Sequence, residues 1–256
     1  MIKKIISAGC SFTKPGHFGA WSEQLAHLLD ARLLNTGSPS QGNNLIARKV
    51  IHAVEKCRTS FANIDELLVA VQWSSPNRFA RFMTDTQIED WEITHGPEFK
   101  EKNPPGNFSQ GKDGNPIRMF SGGDGSWLLS NHNWPDAVSK NHMEFSNNID
   151  AEIRTYEDIL RVENYLKRHK INYFMFLGWD GCLSNKHWQN PNVKYLRNMV
   201  DHSKWITSEY QWCVKNTEGP FCEGLDTKIV QHPTQVQHQM YTEGAIMPHL
   251  KWRGII

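Results

Sequence analysis

Apolar positions along this 256-residue chain alternate between a short strand-like rhythm and a longer helical one. Ile2, Ile5 and Ile6, broken only by Lys3 and Lys4, predict a first buried strand. The run stops at the small residues Ala8-Gly9, which places Ser11 just past the C-terminal end of that strand. Trp21, Leu25, Leu28, Leu29 and Leu33 recur at helical spacing over residues 22–34, with Ser22 as a candidate N-cap. Arg32-Leu33-Leu34-Asn35 reads as a short second strand running into Asn35-Thr36-Gly37. A second helix is predicted from Asn43 or Asn44 to Cys57, burying Leu45, Ile46, Val50, Ile51 and Val54. The unbroken run Leu67-Leu68-Val69-Ala70-Val71 predicts a third strand covered on both faces, since it lacks the alternation of a half-exposed one.

Residues 79–150 interrupt the rhythm. Gly106-Asn107, Gly111, Gly114-Asn115-Pro116 and Ser121-Gly122-Gly123-Asp124-Gly125 are turn chemistry, and the stretch reads as an insertion over one rim of the sheet within a single domain spanning 1–256. Periodicity returns with a helix from Ile149 to His169, carrying Ile153, Tyr156, Leu160 and Leu166, and a fourth strand over Asn172–Leu177. A second irregular insertion, 179–225, is expected to hold a helix over Val193–Ser203. A final amphipathic helix, Thr234–Leu250, carries Val236, Met240, Met247 and Leu250. Strands alternating with helices imply an α/β fold: a three-layer arrangement with a parallel sheet flanked by helices, bearing two long irregular insertions. Right-handed crossovers would gather the strand C-termini on one rim. That rim would receive Ser11, Gly37, the Gln72-Trp73-Ser74 turn, Gly178-Trp179-Asp180 and His232.

Composition narrows the partners. The formal charge is +1 with histidines neutral, and no basic stripe is present, which argues against nucleic acid. No apolar stretch approaches the ~20 residues a membrane span requires. The N-terminus enters a strand without a long apolar leader segment, so synthesis in the cytoplasm is expected, with later incorporation into a virion left open. Five scattered cysteines without a C-x-x-C pair favour reduced thiols. The twelve histidines show no ligand spacing on a helix, so no metal is expected, and the absence of phosphate-loop glycine motifs gives no reason for a nucleotide cofactor. Ten tryptophans are many for this length; Trp91, Trp127, Trp134, Trp179 and Trp188 fall in loop-like sequence, where they either line a groove or pin loops to the body.

The candidate chemistry lies at the two ends. Gly9-Cys10-Ser11-Phe12-Thr13 after the first strand, Asn35-Thr36-Gly37 with Gly42-Asn43-Asn44, and His232-Pro233 before the terminal helix resemble the blocks of the SGNH (GDSL-type) hydrolases, in the Gly-Cys-Ser-Phe-Thr form met among phage-encoded proteins. The resemblance covers the N-terminal third and the C-terminal segment, and neither insertion. It implies a flavodoxin-like fold and a cofactor-independent serine esterase that removes O-acyl groups, such as acetyl, from a carbohydrate or small ester. It implies Ser11 as nucleophile, its own N–H and that of Gly37 as oxyanion donors, and His232 as general base, with His238 structural. Two positions depart from the pattern. Ser74 stands where the third oxyanion donor, an asparagine, would be, with Asn77 nearby. Ile229 stands where the acid that orients the histidine would be, leaving Asp226, with Glu223 behind it, or a Ser11–His232 dyad held by a backbone carbonyl. Cys10 is expected to point into the core and be inert. A non-catalytic module of the same fold, binding glycan or serving as a structural subunit of a homo-oligomer or virion, is the alternative, and a transferase using the same acyl-enzyme is a lesser one.

Overall fold

The computed structural model describes residues 1–14, 19–39, 41–59, 63–84, 87, 117–120, 125–131, 142, 144, 146–180, 183, 187–218, 222–223 and 231–256. Four strands, β1 (Lys4–Ala8), β2 (Arg32–Asn35), β3 (Leu67–Trp73) and a later strand over Asn172–Leu177, form one parallel sheet. In space β1 lies between β2 and β3, and the later strand follows β3 on its far side. This is the start of the flavodoxin-like order, in which the chain leaves β1 to one side and returns to the other. The crevice outside the C-terminal ends of β1 and β3 is therefore the topological switch point, where open α/β sheets bind ligands.

Both sheet faces are covered, as the unbroken apolar run of β3 requires, and all seven of its residues are buried. Helix α1 spans Trp21–Leu28 and α2 spans Asn43–Arg58. Beyond β3, the chain forms β4 (Arg78–Thr84), β5 (Ile117–Phe120), β6 (Gly125–Asn131), α3 (Asn148–Arg168), β7 (Asn172–Leu177), α4 (Pro191–Met199) and α5 (Glu209–Asn216). It closes with β8 (Cys222–Glu223), β9 (Gln231–His232), α6 (Gln235–Tyr241) and α7 (Met247–Trp252). Ile6, Val69, Val71, Trp73, Tyr173 and Met175 face Ile46, Val50 and Val54 of α2 and Ile159 and Val162 of α3. The alternate residues Ile5, Leu68, Ala70, Phe174 and Phe176 face Trp21 and Leu25 of α1 and Tyr241, Ile246 and Leu250 near the C-terminus. Period-two alternation thus sorts side chains between two apolar layers.

Several local expectations are corrected. Helix α1 ends at Leu28, well short of residue 34, because Asp30 adopts a left-handed conformation (φ 47°) and turns the chain directly into β2. Aspartate tolerates that backbone better than most residues. Ser22 is not the N-cap: Ala20 holds that position, and the Ser22 hydroxyl is buried, accepting from Asn35 Nδ2 at 2.9 Å. The stretch after residue 79 is not uniformly irregular, since β4, β6 and β5 pair in that order as an antiparallel sheet. The expected helix over Val193–Ser203 is α4, capped by Asn190 and started by Pro191, followed by a separate 3-10 turn at His202–Lys204. The terminal segment starts on a capping box between Thr234 and Gln237, but a π-helical turn at Thr242–Ile246 divides it. Pro248 has no N–H to give the carbonyl of Gly244 and its ring crowds it, so the wider turn relieves both conflicts.

Two adjacent asparagines lock the start of α2 onto the strands beside it. Asn43 accepts from Ser74 N at 2.8 Å and donates to Ser74 O at 3.0 Å, while Asn44 accepts from Ala80 N at 3.0 Å and donates to Ala80 O at 2.5 Å. Each carboxamide thus substitutes for a missing strand neighbour at the point where β3 turns into β4.

Candidate active site

The turn after β1 is tightly wound. Thr13 N donates to Cys10 O at 3.1 Å and Lys14 N to Ser11 O at 3.3 Å, so two overlapping turns lift Ser11 to the rim. Its flanking residues Cys10, Phe12 and Thr13 point inward and are buried, whereas Ser11 is half-exposed. The packing leaves no room for larger residues: a Cβ on Gly37 would lie 2.8 Å from Thr13 Cβ. Cys10 Sγ donates to Gln72 Oε1 at 3.4 Å from a position without solvent exposure, consistent with an inert core thiol.

His232 comes to this turn from the other end of the chain. Its Nε2 lies 2.8 Å from Ser11 Oγ, a contact between residues 221 positions apart. Pairing of β8 with β9, Cys222 opposite His232, fixes the segment that carries it. The imidazole sits edge-on to the Phe12 ring, centroids 5.0 Å apart, and Phe12 in turn packs 6.0 Å from Trp179. A hydroxyl within hydrogen-bond reach of an imidazole nitrogen, the ring held by packing, is the geometry in which the nitrogen can take the hydroxyl proton as oxygen attacks carbon. Asp226 lies outside the described residues, as does Ile229; so do Trp91 and Trp134.

The other predicted residues reach the same rim with different engagements. Gly37 N does not face the serine; it donates to Asn35 Oδ1 at 2.7 Å, the short-range turn that an Asn-x-Gly sequence favours. Asn35 is itself held by donating to Thr13 O at 2.5 Å. Ser74 is fully buried, its N–H taken by Asn43 and its hydroxyl accepting from Arg78 Nη1 at 2.9 Å. Asn77 is half-buried in the β3–β4 turn, its N–H toward Ser75 Oγ at 3.4 Å.

Beneath the rim runs a buried polar chain that sequence reading missed. Trp21 Nε1 donates to Thr13 Oγ1 (3.2 Å), Thr13 to Gln72 Oε1 (2.8 Å), and Gln72 Nε2 to Glu209 Oε2 (2.8 Å). The other oxygen of Glu209 meets His238 Nδ1 at 2.5 Å, with both side chains essentially without exposure. Burial raises the Glu209 pKa, and the adjacent His238 opposes that rise. The chain ties the Ser11 turn, the middle of β3 and the helix after His232 to one buried carboxylate. His238 therefore has a buried carboxylate partner. Trp179, expected on this rim as a groove-lining or loop-pinning residue, packs on Phe12, whose part in holding the histidine ring was missed.

No family model and no curated protein matches the chain. Among solved structures it is similar to a protein from Desulfitobacterium hafniense DCB-2 named as lipolytic and of the G-D-S-L family, at 13% identity, covering 94% of this chain and 96% of that one, with a TM-score of 0.38.

Proposed function

We propose that this protein is a serine ester hydrolase in which Ser11 is the nucleophile and His232 the general base. The 2.8 Å contact between Ser11 Oγ and His232 Nε2, at the switch point of a parallel sheet, carries the reading. In the first half-reaction the Ser11 oxygen bonds to the ester carbonyl carbon as its proton passes to His232 Nε2. The carbonyl π pair moves onto oxygen and is met by the Ser11 N–H, which has no backbone acceptor among the described residues. When that pair returns, the bond to the leaving alcohol breaks and the alcohol takes the proton from His232. Water then repeats the sequence on the acyl-enzyme, releasing the acid and restoring the serine.

The substrate class is an O-acyl ester, with acetyl groups on a carbohydrate as the leading case. The half-exposed Trp179 ring, packed on Phe12 beside the pair, offers flat apolar surface of the kind that sugar faces stack on. Hydrolysis of p-nitrophenyl acetate by the purified chain, lost by at least about 10³-fold in Ser11→Ala and His232→Ala, is the expected result. Well-folded protein with no turnover above that of Ser11→Ala would favour the non-catalytic module, a reading supported by the engaged amides of Gly37 and Ser74.

A further inference from the structure

An ester hydrolase must stabilise the negative charge that develops on the carbonyl oxygen, and the backbone donors around Ser11 are largely committed. Among the described residues, the amides of Thr13 and Lys14 close their own turns. Ser38 N donates to Gly9 O at 3.2 Å, Gly37 N to Asn35, and Ser74 N to Asn43. The side-chain amides nearest the serine are equally occupied: Asn35 on Thr13 O and Ser22, Gln41 on Gly9 O and Thr36 O, Gln72 on Glu209. The N–H of Ser11, like those of its turn neighbours Cys10 and Phe12, has no backbone acceptor among the described residues, and a tetrahedral oxyanion gains from a further, fixed donor.

Arg78, at the start of β4, is a further donor close to this rim. Ala8 of β1 pairs with Val71 of β3, and Ser11 and Ser74 follow the C-terminal ends of these two neighbouring strands. The Ser74 hydroxyl holds Arg78 Nη1 at 2.9 Å, and the guanidinium lies over the Trp179 ring at 5.3 Å, the same ring that packs on Phe12 next to Ser11. Two neutral partners thus fix the group in place without neutralising it. Arg78 is half-buried, and among the described residues it forms no ion pair and its Nε has no hydrogen-bond partner. Buried charges are ordinarily paired, and a guanidinium cannot shed its proton to escape the cost. A fixed cation with no ion pair among the described residues, held over the ring that packs on Phe12, is arranged for an anion that appears only during reaction.

We infer that Arg78 is a catalytic residue that donates to the oxyanion formed when Ser11 attacks the ester. The inference rests on the serine-hydrolase reading and adds a residue to it. No bond is made or broken by Arg78: the carbonyl pair moves onto oxygen, receives its hydrogen bond there, and returns as the alcohol leaves. Asn77, in the same turn, is the rival donor, but nothing described anchors its carboxamide.

The test uses p-nitrophenyl acetate, a neutral ester with no anionic group for Arg78 to hold in the ground state. Arg78→Gln should lower kcat about 10²- to 10³-fold with KM within about threefold, since the lost interaction exists only in the transition state. Arg78→Lys should retain an intermediate rate, and Arg78→Ala should recover activity when guanidinium chloride is added well below denaturing concentration, which a purely structural loss would not do. A folded Arg78→Gln within about threefold of wild type, or a large loss in Asn77→Ala in its place, overturns the inference. So does a loss confined to the KM of carboxylate-bearing esters, which would make Arg78 a substrate anchor. A wild-type chain no more active than Ser11→Ala removes the serine-hydrolase reading itself, and Arg78 with it; an active wild type with an indifferent Arg78 removes the Arg78 role alone.

Discussion

Two polar clusters share the rim of one sheet and are built on opposite principles. The lower one, Thr13–Gln72–Glu209–His238, is sealed: each of its groups is buried and each has a partner. The upper one, the Ser11–His232 pair with Arg78 at the start of β4, is half-open, with a hydroxyl facing an imidazole and a cation lacking a carboxylate among the described residues. A satisfied network in low dielectric holds backbone in one arrangement, whereas half-exposed polar groups can act on something else. The lower cluster holds the turn that carries Ser11 and the helix that follows His232; in the proposed reaction the upper one is where charge moves.

Substitutions should separate the two. In the open cluster, Ser11→Ala is expected to abolish ester hydrolysis by at least about 10³-fold while the unfolding transition stays in place, because the residue is half-exposed and small. In the sealed cluster the ranking reverses. Glu209→Ala leaves His238 and Gln72 facing an empty buried site and should cost about 3–5 kcal/mol of stability by urea unfolding. A Glu209→Ala protein as stable as wild type would mean that the buried chain is not what holds the rim together.

The smallest effect is expected away from both clusters, at Asp158 on α3. Burial raises its carboxyl to about 6, against the pull of Arg161 at 2.7 Å. The folded chain therefore binds a proton that the unfolded chain releases between about pH 4 and pH 6, so stability falls as pH rises through that window. Asp158→Asn should remove that slope and gain about 1–3 kcal/mol at pH 7, as read from unfolding at several pH values. A slope unchanged by the substitution would assign it to other carboxylates.

Much of the upper cluster could be read from the chain because its signals are local. A strand ending in Gly-Cys-Ser places a hydroxyl on the rim, and a histidine before Pro233 and a capped helix has to enter at a comparable level. The sheet itself followed from apolar runs at Ile2–Ile6, Leu67–Val71 and Asn172–Leu177. The sealed cluster was hidden because its members look like surface residues: Gln72 sits in a strand tail, and Glu209 opens a helix in sequence with few apolar positions. Only their burial against each other makes them core. The commitment of the Gly37 amide was legible as Asn-x-Gly turn chemistry, yet that local bond competes with a role facing the serine. The antiparallel sheet of β4, β5 and β6 was missed because Arg78, Arg81 and Thr84 break the apolar pattern, and strand pairing across a long insertion leaves no periodic trace.

The account turns on Ser11 being activated by His232. The direct measurement is intact-mass and peptide analysis after treatment with a fluorophosphonate. It should find one stoichiometric adduct, mapped to Ser11, absent in Ser11→Ala and strongly slowed in His232→Ala. An unlabelled folded protein, or an adduct on a different residue, would contradict it.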